Sequence, residues 1–389
     1  MRIILLGNYE PDHFLSMERF ADVLFQRLPR PGLEVELLRP RERFGRILNS
    51  SSGLGKWLGY IDKYVLFPFD LKKKISTVPA TVPVVVHICD HSNAAYTRYL
   101  QKTPHLVTCH DLLAVRSARG EFRENPTRWT GRLLQRSILR GLNRAARVVC
   151  DSEATRRDVL RLSSLSSRQV DLNYIGLNYD YRPMEKTEAR QQLQVLEKKH
   201  SFDVGKSGTF LMHVGGNQWY KNRLGVLRIY QDLAHDFGQV PPLIMAGSGF
   251  TPDMNRFVAE NKLGGKIFST PNCSNEELRA LYSLAELLLF PSLEEGFGWP
   301  ILEGQACGCR VITINKPPMT EVGGDAAIYF EPQQIHAAAA TVRRLLNQSP
   351  AEKQGLIQKG FDNAARFSIS RMVENYISHY HDLIGQHAV

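Results

Sequence analysis

Long hydrophobic runs are missing from this chain. Its most apolar stretches, around residues 82–89 and 285–291, fall far short of the ~18 to 20 residues that cross a bilayer, so no membrane span is expected. The first seven residues are too few, and too soon followed by Glu10 and Asp12, to be a signal peptide. They read as a buried first strand, and a cytoplasmic protein is expected. Cysteine is sparse: six in 389 residues, with no Cys-x-x-Cys pair and only Cys307 and Cys309 close together, which argues against a disulfide framework and against a zinc knuckle. No Asp-x-Asp pair occurs, which removes one familiar way of holding a divalent metal on a diphosphate, and no metal or other cofactor is expected. Nucleotide fingerprints also fail. Gly205-Lys206-Ser207 has His200 where a P-loop needs its upstream glycine, Gly247-Ser248-Gly249 runs into Pro252, and Gly53-Leu54-Gly55 follows no strand.

What is present is an ordinary globular composition, 43% hydrophobic and 23% charged, with enough length for two or three domains at roughly one per ~150 residues. The net charge of +10 is uneven. Residues 1–184 carry 29 Lys and Arg against 18 Asp and Glu, an excess of 11, whereas residues 185–389 carry 20 against 21. A basic half beside a neutral one suits an anionic partner such as a lipid surface, a phosphorylated acceptor or nucleic acid, and equally suits solubility alone.

Short β-branched runs at 3–6, 34–38, 84–88, 106–109 and 148–150 alternate with amphipathic segments, a rhythm that means parallel sheet. The rhythm restarts after a polar stretch with runs at 209–214, 243–246, 287–290 and 310–314. The expected architecture is α/β: an acceptor-side domain over 1–180, a linker over 181–206, a second doubly wound domain over 207–368, and a helical segment over 369–389 packing back on the first domain.

The chemistry concentrates between residues 287 and 314. A buried strand leads into Ser292-Leu293-Glu294-Glu295-Gly296-Phe297-Gly298-Trp299, then a helix from Pro300 to about Cys307, stopped by Gly308. Gly296, Phe297 and Gly298 thus precede a helix N-terminus at the carboxyl end of a parallel strand, where anions bind. Glu295 and Glu303 bracket the turn, eight residues apart, with Glu303 expected in the first helical turn. Carboxylates suit hydroxyls, and a helix N-terminus suits phosphate; a nucleotide sugar presents both. Taken singly, Glu303 also reads as a dipole complement and Glu295 as a solvated side chain.

The run Phe290-Pro291-Ser292-Leu293-Glu294-Glu295-Gly296-Phe297-Gly298-Trp299-Pro300-Ile301-Leu302-Glu303 closely resembles the E-x7-E signature of retaining glycosyltransferases of family 4, whose GT-B fold has two facing Rossmann-like domains. Residues 276–290, 306–314 and 320–327, the Lys221-Asn222 pair, Val107-Thr108-Cys109-His110-Asp111-Leu112 and the run 151–157 extend the resemblance, while residues 1–100 match by pattern alone. The resemblance implies that Glu303 binds ribose hydroxyls, that Glu295 with the backbone of Gly296 to Gly298 holds donor sugar and diphosphate, that Lys221 neutralises the departing diphosphate, and that His110 faces the sugar from the other domain. The family usually has an arginine five residues before its phosphate lysine. That place is Gly216, in the run Gly215-Gly216-Asn217, so Arg223 is the candidate replacement. Asn8, Glu10 and Asp111 are the acceptor-side candidates.

The implied partners are a nucleotide sugar donor, GDP-mannose or a UDP-sugar, and a saccharide or lipid-linked acceptor in polysaccharide or glycolipid biosynthesis. Nucleic acid is not expected. Arg128, Arg132, Arg136, Arg140 and Arg144 step four residues at a time and so drift ~40° per step, winding round a helix rather than forming one flat face. Between Arg39 and Lys74, basic residues interleave with Trp57, Tyr60, Tyr64, Phe67 and Phe69, a pattern that suits an interfacial patch on an anionic membrane or an anionic acceptor site, and equally a buried aromatic core. Two rival functions remain open: another GT-B enzyme, such as a sugar-nucleotide epimerase or a phosphorylase-like enzyme, and a degenerate transferase acting as a scaffold or nucleic-acid binder.

Overall fold

A computed structural model describes residues 1–47, 54–205, 208–236 and 240–387. The chain divides into two compact units, Met1–Asn178 with Ile369–Val389, and Tyr179–Ser368. Gly53, Lys206, Ser207 and the last two residues, which figure in the motifs and boundaries above, lie outside the described residues.

In the first unit, strands β1 (Arg2–Leu6), β2 (Glu34–Leu38), β3 (Val84–Ile88), β4 (His105–Cys109), β5 (Arg147–Cys150) and β6 (Val170–Leu172) form one sheet in the order β2-β1-β3-β4-β5-β6. Every pairing is parallel. Parallel strands are covered on both faces, which is why β1 and β3 to β5 read as largely apolar runs and why Ile4, Val86, Val107 and Val148 are fully buried. The strand order reverses between β1 and β3, and in such sheets the crevice at the carboxyl ends of the strands where the order reverses is the usual ligand site.

The second unit repeats the scheme with β7 (Leu211–Gly215), β8 (Leu243–Gly247), β9 (Ile267–Pro271), β10 (Leu287–Phe290), β11 (Arg310–Ile314) and β12 (Ala327–Phe330), ordered β12-β11-β10-β7-β8-β9 and again parallel. Here the order reverses between β7 and β10. The sequence reading missed β6, β9 and β12. All three lie at or beside a sheet edge, where less burial is required and where Ser269, Thr270 and Pro271 are tolerated.

The expected linker is corrected. Lys186–His200 is a helix capped by Glu185, whose carboxylate accepts from the backbone N–H groups of Thr187 and Glu188, and it buries Ala189, Leu193 and Leu196. Its apolar residues recur at helical spacing and pack, with Met184, against Ala280 of the helix Asn275–Leu284. The helix Ile369–His387 returns to the first unit. There Tyr380 bonds His87 Nδ1 at 2.8 Å, and Thr108, at 2.7 Å from His87 Nε2, meets the Tyr376 hydroxyl at 2.9 Å. Burial holds His87 well below its ordinary pKa, so the ring is neutral and shares these hydroxyls as one donor and one acceptor.

Candidate active site

The reversal between β7 and β10 brings two loops together. After β7 the chain makes a short turn, Trp219–Lys221, passes through Asn222 in the left-handed region at φ 51°, and starts the helix Arg223–Asp236. After β10 it forms the Glu294–Gly298 loop. The Leu293 N–H donates to the Tyr220 carbonyl at 2.7 Å, and the Asn222 side chain donates to the Pro291 carbonyl at 3.0 Å, so each loop fixes the other. At this seam Lys221 Nζ lies 2.7 and 3.0 Å from the two carboxylate oxygens of Glu295, residues 74 apart in sequence. Beside it, Lys316 donates to the Leu293 carbonyl at 3.1 Å and pairs with Glu294.

Gly298 ends the loop at φ 105°, and the helix Trp299–Ala306 follows. The helix starts one residue earlier than expected, with Trp299 first and Pro300 second; proline fits there because no N–H in the first turn has an intrahelical acceptor. Glu303 consequently falls in the second turn rather than the first. It is 7% exposed and accepts from the Tyr282 hydroxyl at 2.9 Å. Burial, with the Glu303 charge behind it, holds that hydroxyl protonated, its pKa pushed well above the ordinary value. Phe297 is buried edge-on against Phe367, so only its backbone serves the loop's outer face.

Several buried polar atoms around this seam have no hydrogen-bond partner among the described residues: Arg223 Nε and Nη2, His213 Nε2 and Ser292 Oγ. Such atoms are normally satisfied, and their accumulation at one crevice is what a polar ligand site looks like when empty of protein partners. Arg223 is 5% exposed; its Nη1 binds the Asn217 side chain and, at 3.1 Å, the Gly249 carbonyl, while burial draws its pKa down to about 10. His213 donates from Nδ1 to the Leu289 carbonyl at 2.9 Å. Burial, then the Arg223 and Lys221 charges, lower its pKa to about 3, so the ring is neutral and Nε2 is an acceptor. Gly215 ends β7 where it meets Gly247 closely: a Cβ on Gly247, itself at φ 113°, would stand 2.4 Å from the Gly215 carbonyl oxygen. The atoms nearest a Cβ on Gly216 would be those of the flexible Gln218 side chain.

The remaining candidates belong to the first unit. His110, just beyond β4, is 4% exposed. Its Nδ1 is 2.9 Å from Asp151, just beyond β5, its Nε2 is 2.9 Å from the Cys89 carbonyl, and the Phe20 ring packs edge-on at 4.8 Å. Burial opposes a charge here, but the Asp151 hydrogen bond and charge, helped by Asp90 and the Cys89 carbonyl, outweigh it and raise the pKa to about 9. Both nitrogens therefore donate, and the ring is an imidazolium. Asn8 is buried at the β1–β3 reversal, donating to Asp90 at 2.6 Å and accepting from Asn93 at 3.0 Å. Glu10 is exposed, 3.9 Å from Arg39, and Asp111 accepts the Leu113 N–H at 2.9 Å. Among the described residues no three His, Cys, Asp or Glu side chains converge as a metal's ligands would, and no helix is long and apolar enough to cross a membrane.

A family model described as Glycosyltransferase Family 4 matches residues 17–180, and one described as Glycosyl transferases group 1 matches residues 196–361. The sucrose-phosphate synthase of Thermosynechococcus elongatus superposes with a TM-score of 0.71 at 18% identity, over 99% of this chain and all of that one, a likeness of fold. The chain belongs to the GT-B glycosyltransferases. This glycosyltransferase is 28% identical to the O-antigen chain mannosyltransferase B of Escherichia coli over 251 residues, 64% of either chain. It is 25% identical to the D-inositol 3-phosphate glycosyltransferase of Mycolicibacterium smegmatis over 288 residues, 71% of this chain and 61% of that one. It thus spans less than two thirds of the length of these curated relatives. Four site features of the glycosyltransferase escaped sequence reasoning: Asp151 behind His110, Tyr282 against Glu303, the acceptor nitrogen of His213, and Lys316 on Glu294. Only Asp151 left a signal, because His110 and Asp151 each directly follow a strand and those strands run side by side, with Cys109 opposite Cys150.

Proposed function

We propose that the chain is a retaining hexosyltransferase that moves a hexose from a nucleoside diphosphate sugar to a saccharide or lipid-linked acceptor, with no metal ion, in polysaccharide or glycolipid biosynthesis. The observation that carries this reading is the Lys221–Glu295 pair at 2.7 Å, in the crevice where β7 and β10 part and at the loop that leads into the helix Trp299–Ala306. A nucleotide sugar needs cations and a helix dipole for its phosphates and carboxylates for its hydroxyls, and one corner offers both.

In this reading Lys221 and Arg223 share the diphosphate, and Arg223 supplies the cation that Gly216 does not; its unpartnered Nε and Nη2 support that role. Gly215 and Gly216 leave the backbone open to the donor. Glu303 holds the ribose hydroxyls. Glu295, with the backbone of Gly296, Phe297 and Gly298, holds the sugar. Before the donor arrives Lys221 is neutralised by Glu295; the diphosphate takes over that ammonium and leaves the carboxylate for sugar hydroxyls. As the bond from the anomeric carbon breaks, charge grows on the leaving oxygen, and Lys221 binds it more strongly than in the ground state. The acceptor attacks from the leaving-group side, and that same oxygen takes its proton. No sugar is bonded to Glu295 at any stage. His110, as a cation fixed by Asp151, faces the donor sugar, while Asn8, Glu10 and Asp111 serve the acceptor.

Similarity to a mannosyltransferase makes GDP-mannose the first donor to test, ahead of UDP-sugars. Peripheral contact with the anionic cytoplasmic face of a membrane belongs to the same proposal, on the excess of 29 Lys and Arg over 18 Asp and Glu in residues 1–184. The test is a donor panel read first by thermal shift, since a ligand that binds only the folded state raises its stability, and then by NMR of the anomeric centre of the product. A retained configuration is expected. An inverted centre refutes the mechanism, and a sugar trapped covalently on Glu295 refutes its front-side form.

A further inference from the structure

Of the aromatics between Arg39 and Lys74, Phe67 is buried in the core and Phe69 is exposed, whereas Trp57, Tyr60 and Tyr64 line an open hollow. Tyr60 and Tyr64, on the continuous helical stretch that runs from Leu54 to Ser76, stand with Trp57 on one side of a cavity of about 690 Å³. The segment His91–Tyr99 supplies Tyr96 and Tyr99, and the helix Trp129–Leu142 supplies Trp129, Leu133 and Leu134. The aromatic rings run in a chain: Trp57 on Tyr60 at 5.6 Å, Tyr60 on Tyr64 at 5.8 Å, Tyr64 on Tyr96 at 6.4 Å. The floor is finished. Tyr96 is fully buried with its hydroxyl donating to the Lys63 carbonyl at 3.0 Å, and Gly141 allows its helix to lie directly against the Ala94 backbone. The mouth is not: Trp57 is 62% exposed, Trp129 73% and Leu133 52%, and Val65 and Phe69 on the first stretch are also exposed. A cavity of this size holds a ligand of a few tens of atoms, and apolar walls choose an apolar one.

Charge narrows the choice. Among the described residues no acidic side chain lines the cavity, whereas Arg98 does, and the Arg98 guanidinium and the Lys72 ammonium lie over the Tyr99 ring at 4.4 and 5.1 Å. Arg128, Arg132 and Arg136 are exposed and alternate along the chain with the lining residues Trp129, Leu133 and Ser137. An apolar hollow with two tryptophans at its rim and cations beyond them matches the cross-section of a bilayer surface: hydrocarbon, then the interfacial level where indoles settle, then anionic headgroups. A protein partner would need acidic residues at matching places as well as an apolar plug. A phospholipid brings both in one molecule.

We propose that this cavity receives a hydrocarbon chain of an anionic membrane phospholipid, with Trp57 and Trp129 at headgroup depth and Arg98, Arg128 and Arg132 on the phosphates. The inference rests on the peripheral membrane contact proposed above and goes beyond it by naming the residues and the lipid chain.

The test is co-sedimentation of the full chain with phosphatidylcholine vesicles, with vesicles carrying about 30 mol% phosphatidylglycerol, and with the latter brominated in mid-chain. Binding to the anionic vesicles and quenching of tryptophan fluorescence by the buried bromine are expected. Trp57→Ser, Trp129→Ser and Leu133→Asp, all at exposed positions and checked for unchanged thermal unfolding, should each weaken binding about tenfold, and the double tryptophan variant should lose the quenching. Salt-sensitive binding with no quenching, unchanged in these variants, leaves the membrane contact standing and overturns the chain pocket. Absence of binding to anionic vesicles overturns both. Binding that appears only when a polyprenyl phosphate is added assigns the cavity to the acceptor lipid and overturns the phospholipid reading.

Discussion

His110 and Asp151 form a buried ion pair, and each of the two holds its proton more tightly in the folded chain. In the intact pair the imidazolium is favoured by folding, its pKa raised to about 9, and burial raises Asp151 to about 6. Each shift means that the folded chain holds a proton which the unfolded chain gives up. The sign follows: the His110 contribution to stability is fully present below its ordinary pKa of 6.5 and is lost as pH rises through about 9, and the Asp151 shift acts in the same direction between 3.8 and about 6. Asp151→Asn leaves burial as the dominant influence, so the His110 pKa should fall below 6.5, read by imidazole NMR through a pH titration. A value still near 9 would show that Asp151 is not what charges the ring. Lys221 makes a different kind of contribution. Lys221→Ala should lower turnover by ~10²-fold while changing donor affinity less, because its contact strengthens as the leaving charge develops; steady-state kinetics beside equilibrium donor binding separates the two. Glu303→Ala should do the reverse, weakening both free nucleotide and donor by ~1 to 3 kcal/mol in calorimetry, the cost of leaving hydroxyls without an ionised acceptor.

At the scale of elements, the ends of β7 and β8 lie in close backbone contact at Gly215 and Gly247. Gly247→Ala would place a methyl 2.4 Å from the Gly215 carbonyl oxygen in a backbone conformation that side chains avoid. A loss of about 3 kcal/mol is expected, seen as a lower unfolding temperature and as weaker donor binding, because Gly215 must move. The same scale explains what the sequence made legible. Strands 34–38, 84–88, 287–290 and 310–314 have the bounds read from the sequence, three of them because interior parallel strands are mostly apolar, with His87, Arg310 and Thr313 as the polar exceptions. The helix Lys186–His200 was hidden by its composition: Ala189, Leu193 and Leu196 carry the buried stripe, but eleven of the other twelve residues are polar or charged. Glu295 and Lys221 stood out through their motif, and the structure brings them within hydrogen-bonding distance. Arg223 stood out only as the nearest substitute for the cation missing at Gly216, and His213 not at all; the buried, unpartnered atoms Arg223 Nε and Nη2 and His213 Nε2 are visible only in three dimensions. The cavity beneath Trp57 and Trp129 draws its walls from segments some seventy residues apart, so the sequence offered aromatics and cations without saying that they enclose anything.

For the whole molecule, the absence of an Asp-x-Asp pair and the presence of Lys221, Arg223 and a helix N-terminus predict transfer that persists in excess EDTA; complete loss restored by magnesium or manganese would defeat this. The chain path has a separate consequence, for synthesis. Residues 179–368 are inserted between the body of the first unit and the helix that completes it, and the bond from His87 to Tyr380 closes a loop of 293 residues. A ribosome delivers the N-terminus first, yet the unit begun first is the last one finished: until Ile369–His387 emerges, His87 lacks the Tyr380 hydroxyl and Thr108 the Tyr376 hydroxyl, and the part of the sheet face beneath that helix stays uncovered, while the inserted unit already has all of its residues. Nascent chains stalled with residues up to 368 outside the ribosome and Ile369–His387 still inside it should therefore protect the second unit from protease and leave the first one open to it, so that the last twenty-odd residues decide when the first unit becomes complete.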